Sequence, residues 1–283
     1  MSHIQLEVMI MSLLTVLALL LTGGVRAPQP EIPSQWSGRK VAYLGDSITD
    51  PGQLSGHTIY WKALETILGT ESYVYAVSGM QSSHMVGEAD KLLADHGQDV
   101  DAIMILIGTN DFERSVPLGE WYSQKLDTVT VGTADGPASA ARLHREILYD
   151  PSTFRGRMNI LLSKLKKTWP TKQIILLTPL HRAYAEYGPT NIQADESWSN
   201  ANGAFIDDFV QAVKEAGNRW AVSVIDVNAL SGLYPLEPEG SSNPYFYGGF
   251  DSLHPNGDGH RRLAYTIACQ MLGLPVIPNP EGK

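Results

Sequence analysis

Apolar and polar positions follow two rhythms along this chain. Five short apolar runs cover Lys40–Leu44, Ser72–Val77, Ala102–Ile107, Gln173–Thr178 and Val222–Val227. They are rich in Val, Ile or aromatic residues and are bounded by Gly, Pro, Ser, Asn or Asp, the pattern of buried strands. Between them the apolar positions recur at helical spacing. Phe154, Met158, Leu161, Leu162 and Leu165 share one face of a segment. Asp150-Pro151 is expected to open it as N-cap and first helical residue, and Pro170 ends it. A second helix is expected over 200–216, with Phe205, Phe209 and Val213 inward, and a third over 256–272, with Leu263, Ile267 and Met271 aligned. Strands alternating with helices predict an α/β fold whose parallel sheet is covered on both faces. Such sheets bind ligands beyond the carboxyl ends of their strands. Two stretches break the rhythm, 114–149 and 180–199, and both read as long loops of the kind that often carry function.

The first residues stand apart from this pattern. Val8 to Leu21 is an almost unbroken apolar run, shorter than the ~20 residues of a membrane span. Val25 and Ala27 behind it fit the small-residue cleavage pattern of a secretory signal, although no Lys or Arg precedes the run. The expected organisation is therefore a signal segment over 1–27, with an uncleaved anchor as the alternative, and a single domain over 28–283. The protein is then secreted or periplasmic, with no other membrane contact. With 283 residues and 43% hydrophobic content the domain can bury a sizeable core. A net charge of −9 repels a phosphate backbone, which argues against nucleic acid as a partner. Cys269, the one cysteine, removes internal disulfides and thiolate zinc sites, and nothing beside it suggests a reactive thiol.

Candidate chemistry collects at the strand ends. Gly45-Asp46-Ser47 follows the first run, Ser78-Gly79-Met80 the second and Gly108-Thr109-Asn110-Asp111 the third. Asp251-Ser252-Leu253-His254-Pro255 precedes the last helix. A serine hydroxyl is a weak nucleophile and needs a base, usually a histidine held in one tautomer by a carboxylate. Ser47 supplies the hydroxyl and His254 the imidazole. Asp251, three residues upstream, is near enough to hold Nδ1–H if the segment turns. An oxyanion needs preorganised donors. Gly79 lacks a Cβ and can bring its amide close, Asn110 offers a side-chain N–H, and the Ser47 amide is a third. Taken singly, Ser47, Asn110 and Asp251 are what ordinary turns and caps contain; only the joint pattern points to acyl transfer.

These four blocks, in this order, resemble the SGNH (GDSL-type) hydrolase family over nearly all of the chain beyond the N-terminal segment. The resemblance implies a flavodoxin-like, three-layer α/β/α sandwich on a five-stranded parallel sheet. It implies ester hydrolysis through an acyl-serine, with Ser47 as nucleophile, Asp251 and His254 completing the triad, and Ser47, Gly79 and Asn110 forming the oxyanion hole. No metal or organic cofactor is implied: His254 and His260 are six apart, no H-E-x-x-H occurs, and Asn256-Gly257-Asp258-Gly259 reads as a helix start. The absence of G-x-S-x-G sets aside the nucleophile-elbow hydrolases.

The ester is less legible. Aromatic residues in the irregular stretches, with polar neighbours, suit a sugar, whose faces are apolar and whose rims are hydroxyls. Trp121, Trp198, Tyr247 and Phe250, with His181 and Arg182 after the fourth strand, are the expected substrate contacts. An exported O-acetyl esterase acting on a polysaccharide or glycan is the expected activity. Two alternatives stay open: a lysophospholipase, thioesterase or arylesterase cleaving lipid-like esters, and a carbohydrate-binding module without turnover.

Overall fold

The computed structural model describes residues 30–53, 58–236 and 243–276, so the expected signal segment over 1–27 lies outside the described residues. The strands are β1 (Lys40–Gly45), β2 (Glu71–Ala76), β3 (Ala102–Leu106), β4 (Tyr122–Thr133), β5 (Gly136–Ile147), β6 (Gln173–Leu177), β7 (Ala185–Glu186), β8 (Ile192–Gln193), β9 (Ser223–Ile225), β10 (Phe246–Gly248) and β11 (Asp251–Pro255). Among the described residues the α-helices are α1 (Tyr60–Leu68), α2 (Met85–His96), α3 (Thr109–Glu113), α4 (Phe154–Thr168), α5 (Ile206–Trp220), α6 (Val227–Leu230) and α7 (Gly257–Met271).

The five expected strands form one parallel sheet in the order β2-β1-β3-β6-β9. Its side chains alternate between two cores, as the two-residue period of a strand requires. Val41 and Tyr43 of β1 and Met104 of β3 enter one core with Leu64 of α1 and Leu263 and Ile267 of α7. Ala42, Leu44, Ile103 and Ile105 enter the other, with Leu92 of α2, Leu161 of α4 and Phe209 of α5. Burying each large side chain contributes ~2 kcal/mol, which explains why runs apolar at every position become central strands. The result is the three-layer α/β/α arrangement on a five-stranded parallel sheet.

Several boundaries shift for local reasons. The turn after Ser47 does not open an α-helix: Thr49 and Asp50 amides close one turn on the Asp46 carbonyl. Pro51 then disfavours helical geometry at Asp50, and the next α-helix among the described residues begins at Tyr60. Asp150 caps a turn through Ser152 (2.9 Å to N, 2.6 Å to Oγ), while Thr153, accepting from the Gly156 amide, caps α4. The helix expected from 200 starts at Ile206, because Asn200 Oδ1 accepts from the Asn202 and Ala204 amides and ties 200–204 into a turn.

The two expected loops are corrected as well. The 114–149 stretch contains a ribbon in which β4 and β5 pair from Tyr122↔Ile147 to Thr133↔Gly136, largely exposed on both sides. The 180–199 stretch supplies β7 and β8 to a second, antiparallel sheet of order β10-β11-β7-β8. That small sheet holds the Asp251–His254 segment over the carboxyl end of the main one.

Candidate active site

Ser47 occupies the turn that leaves β1, with Asp46 buried beneath it and its own side chain half-buried. His254 reaches it from 207 positions along the chain, with Nε2 at 2.8 Å from Ser47 Oγ. In a regular strand, residues three apart face opposite sides. Here Asp251 Oδ1 accepts from the Leu253 and His254 amides at 3.1 and 3.0 Å, which bends β11 and brings the carboxylate under the ring. His254 Nδ1 lies 2.9 Å from Asp251 Oδ2. Hydroxyl, imidazole and carboxylate thus stand in one hydrogen-bonded row. Burial acts to raise the Asp251 carboxyl, but the hydrogen bond and charge of His254, with the Tyr187 hydroxyl, hold it below the ordinary carboxylate range.

Tyr187, between β7 and β8, was not among the expected site residues. Its hydroxyl lies 2.7 Å from His254 Nδ1 and is hydrogen-bonded to Asp251. Burial and then the Asp251 carboxylate drive its own ionisation far above the ordinary tyrosine value, so it stays a neutral donor. No sequence signal marks it, because it is brought to the row only by β7 pairing with β11 at Ala185↔Asp251.

Gly79 and Asn110 stand on the other side of Ser47. Gly79 has a φ of 81°, where a side chain is strained, and its neighbouring loop is clipped from both ends. Asp50 Oδ2 accepts from the Ser78 amide (2.8 Å) and hydroxyl (2.7 Å). Buried Asp111 accepts from the Ser82 amide (2.9 Å) and hydroxyl (2.6 Å), and pairs with Arg157 at 3.0 Å. Asn110 Nδ2 donates to the Met80 carbonyl at 3.0 Å and approaches Asp46 Oδ2 at 3.3 Å. The strand-end blocks are therefore bolted to one another by their own acidic residues.

Two cavities meet at Ser47, Gln53, Tyr187, Asp251 and His254. The larger, about 670 Å³, has Gly79, Asn110, Glu113, Arg114, Thr190, Asn191 and Gln193 on its walls. The smaller, about 270 Å³, is bordered by Tyr247, Phe250, Pro255 and His260. Tyr247 and Phe250, two of the expected substrate contacts, thus border a cavity at Ser47. Four others do not. Trp121 is buried against the second core, its indole N–H donating to Glu215 at 2.6 Å. His181 pairs with Glu196 at 2.7 Å and borders neither cavity. Trp198 is 66% exposed and also borders neither. Arg182 is buried, bonded to Glu113 (3.0 Å), Gln193 (2.8 Å) and Thr109 Oγ1 (3.2 Å). It braces the polar cavity from behind through its two terminal nitrogens. Cys269 is exposed on α7. Among the described residues no group of three or more His, Cys, Asp or Glu side chains could hold a metal ion.

The family model for GDSL-like lipases and acylhydrolases matches residues 43–262. Among solved structures, a Lactobacillus plantarum protein superposes with a TM-score of 0.64 at 22% identity, covering 85% of this chain and 99% of its own. A Chitinophaga pinensis protein named as a possible lipase gives 0.59 at 21%, covering 83% and 99%. A member of the lipolytic G-D-S-L family from Veillonella parvula gives 0.51 at 14%, covering 84% and 100%. No curated protein matches the sequence.

Proposed function

Because the chain belongs to the GDSL-like lipase/acylhydrolase family, and is thus a serine hydrolase of carboxylic esters, we propose that Ser47 attacks short-chain, principally O-acetyl, esters carried by a carbohydrate. The observation that carries this reading is the contrast between the two spaces at Ser47. One is walled by amides, hydroxyls and charged groups suited to a hydroxyl-rich molecule, and the other is small and ringed by Tyr247 and Phe250.

In the proposed course, His254 Nε2 takes the Ser47 proton as Oγ attacks the ester carbonyl. Asp251 keeps Nδ1 protonated and stabilises the imidazolium. The Ser47 and Gly79 amides donate to the oxyanion, joined by Asn110 Nδ2 when it exchanges its longer bond to Asp46 Oδ2 for one to the oxyanion, each good donor being worth ~3 kcal/mol. His254 returns the proton to the leaving alcohol, and water repeats the sequence on the acyl-serine. Export of the protein is part of the same proposal, supported by the apolar N-terminal run and its small-residue end.

Ser47→Ala is expected to fold normally and lose essentially all hydrolysis of p-nitrophenyl acetate, together with labelling by a fluorophosphonate. Wild-type turnover by the folded variant would sink the assignment. Acetate release across a panel of acetylated polysaccharides tests the substrate. The lipid-ester reading instead expects p-nitrophenyl octanoate to outrun the acetate. A binding module expects neither turnover nor labelling.

A further inference from the structure

A third concavity, about 620 Å³, lies between α1 and α7. Ala63 and Ile67 contribute an apolar base, Tyr247 and Tyr265 supply rings, and Asp258 and Arg261 stand at its edge. Arg261 lies over the Tyr265 ring at 5.7 Å from its centroid. Tyr247, 51% exposed, borders both this groove and the small cavity that contains Ser47 and His254. Three spaces therefore follow one another across the molecule. They join at the Ser47–His254 row and again at one tyrosine ring.

We infer that the α1–α7 groove binds further sugar units of the molecule whose ester sits at Ser47, so that the substrate is a carbohydrate chain rather than a single sugar. This rests on the carbohydrate-ester reading and adds a distal subsite to it. The chemistry is that of saccharide recognition: apolar sugar faces pack on rings, and rim hydroxyls exchange hydrogen bonds with carboxylate and guanidinium groups. An alkyl chain in the same place would take out of water a linked set of charges, Arg261 with the Tyr265 hydroxyl and the Glu31 and Asp258 carboxylates, and burying charge is costly even when it is paired. Asn256 caps α7 through the Asp258 and Gly259 amides, leaving the Asp258 carboxylate exposed.

The test is acetate release from partially acetylated oligosaccharides of one to six sugars, prepared from whichever polysaccharide of the panel responds, with p-nitrophenyl acetate in parallel. kcat/KM is expected to rise about tenfold or more with chain length, the equivalent of roughly 1.4 kcal/mol of added binding. Arg261→Ala removes the guanidinium from the edge, and Thr66→Trp fills the groove from an exposed position of α1. Both variants are expected to abolish the length gain while keeping p-nitrophenyl acetate turnover within about twofold of wild type. A flat length profile with steady release from the single sugar overturns the distal subsite and leaves the proposed function standing. So does a length gain that survives both variants. Thr66→Trp raising KM for p-nitrophenyl octanoate but not acetate would reassign the groove to an acyl chain. Absence of release from every acetylated carbohydrate, with octanoate hydrolysed, would fall on the carbohydrate reading itself.

Discussion

Two side chains around the Ser47–His254 row make separable demands. Tyr187 presents a neutral hydroxyl to Asp251 and to His254 Nδ1. Removing a hydrogen bond to a charged group costs ~1.5 kcal/mol or more. If the bond holds the ring in the reacting position, Tyr187→Phe should lower kcat for p-nitrophenyl acetate roughly tenfold with little change in KM. A kcat within twofold of wild type would leave Tyr187 only a cavity wall. Asp46 is the second case. Burial pushes its carboxyl up to about 7, against the opposing pull of the Ile48 amide and His254. Between the ordinary carboxyl range and that value, the unfolded chain gives up a proton that the folded chain keeps. The contribution of Asp46 to stability therefore falls as pH rises through this window and levels off above it. Asp46→Asn cannot titrate, so its stability relative to wild type should rise by about 2 kcal/mol between about pH 5 and about pH 7.5. Urea denaturation at the two pH values checks this, and a constant difference would refute it.

At the scale of elements, the site is a set of loops joined by acidic clips. Asp111 belongs to α3 but spends its oxygens on Ser82 and Arg157, fastening the Gly79 loop to the Asn110 helix. Asp111→Ala strands a largely buried Arg157 and two Ser82 donors, with an expected loss of ~3 kcal/mol. A shift in the urea midpoint reads that loss. kcat on p-nitrophenyl acetate should fall in the same variant, since Gly79 is then less firmly held. Unchanged stability would mean that Ser82 and Arg157 find other partners. The β4–β5 ribbon is the opposite kind of element. Leu126 and Leu143 are paired across it and 71% exposed each, so it buries little against the body.

The whole molecule divides accordingly into a body that holds the site and a ribbon that does not. Replacing residues 123–146 by a short Gly-Ser turn joins Tyr122 to Ile147, which already face each other. Melting temperature and p-nitrophenyl acetate turnover should stay near wild type, because a lone two-stranded ribbon adds little stability in water. A collapse of either would show that the ribbon supports the body. The ribbon escaped sequence reading because neither of its faces is buried. The Thr128–Val131 alternation and Asp135-Gly136 were the available signals, and β5 lacks the matching apolar alternation. The five sheet strands and the face of α4 were legible for the converse reason: burial on both sides, or along one stripe, writes a period into the residues themselves. Ser47, Gly79, Asn110 and the Asp251–His254 pair were legible because each lies in a short block at a strand end or helix start. What those residues could not reveal was placement by distant partners. Trp121 and Arg182 read as reaching for a ligand, yet they pack inward. Tyr187 carries no local mark and arrives at His254 through the pairing of β7 with β11. Local composition decided which segments become strands and which polar blocks stand at their ends. Only the packing of segments far apart in the chain decided which side chains meet, because a contact across 67 or 207 positions leaves no period in the sequence.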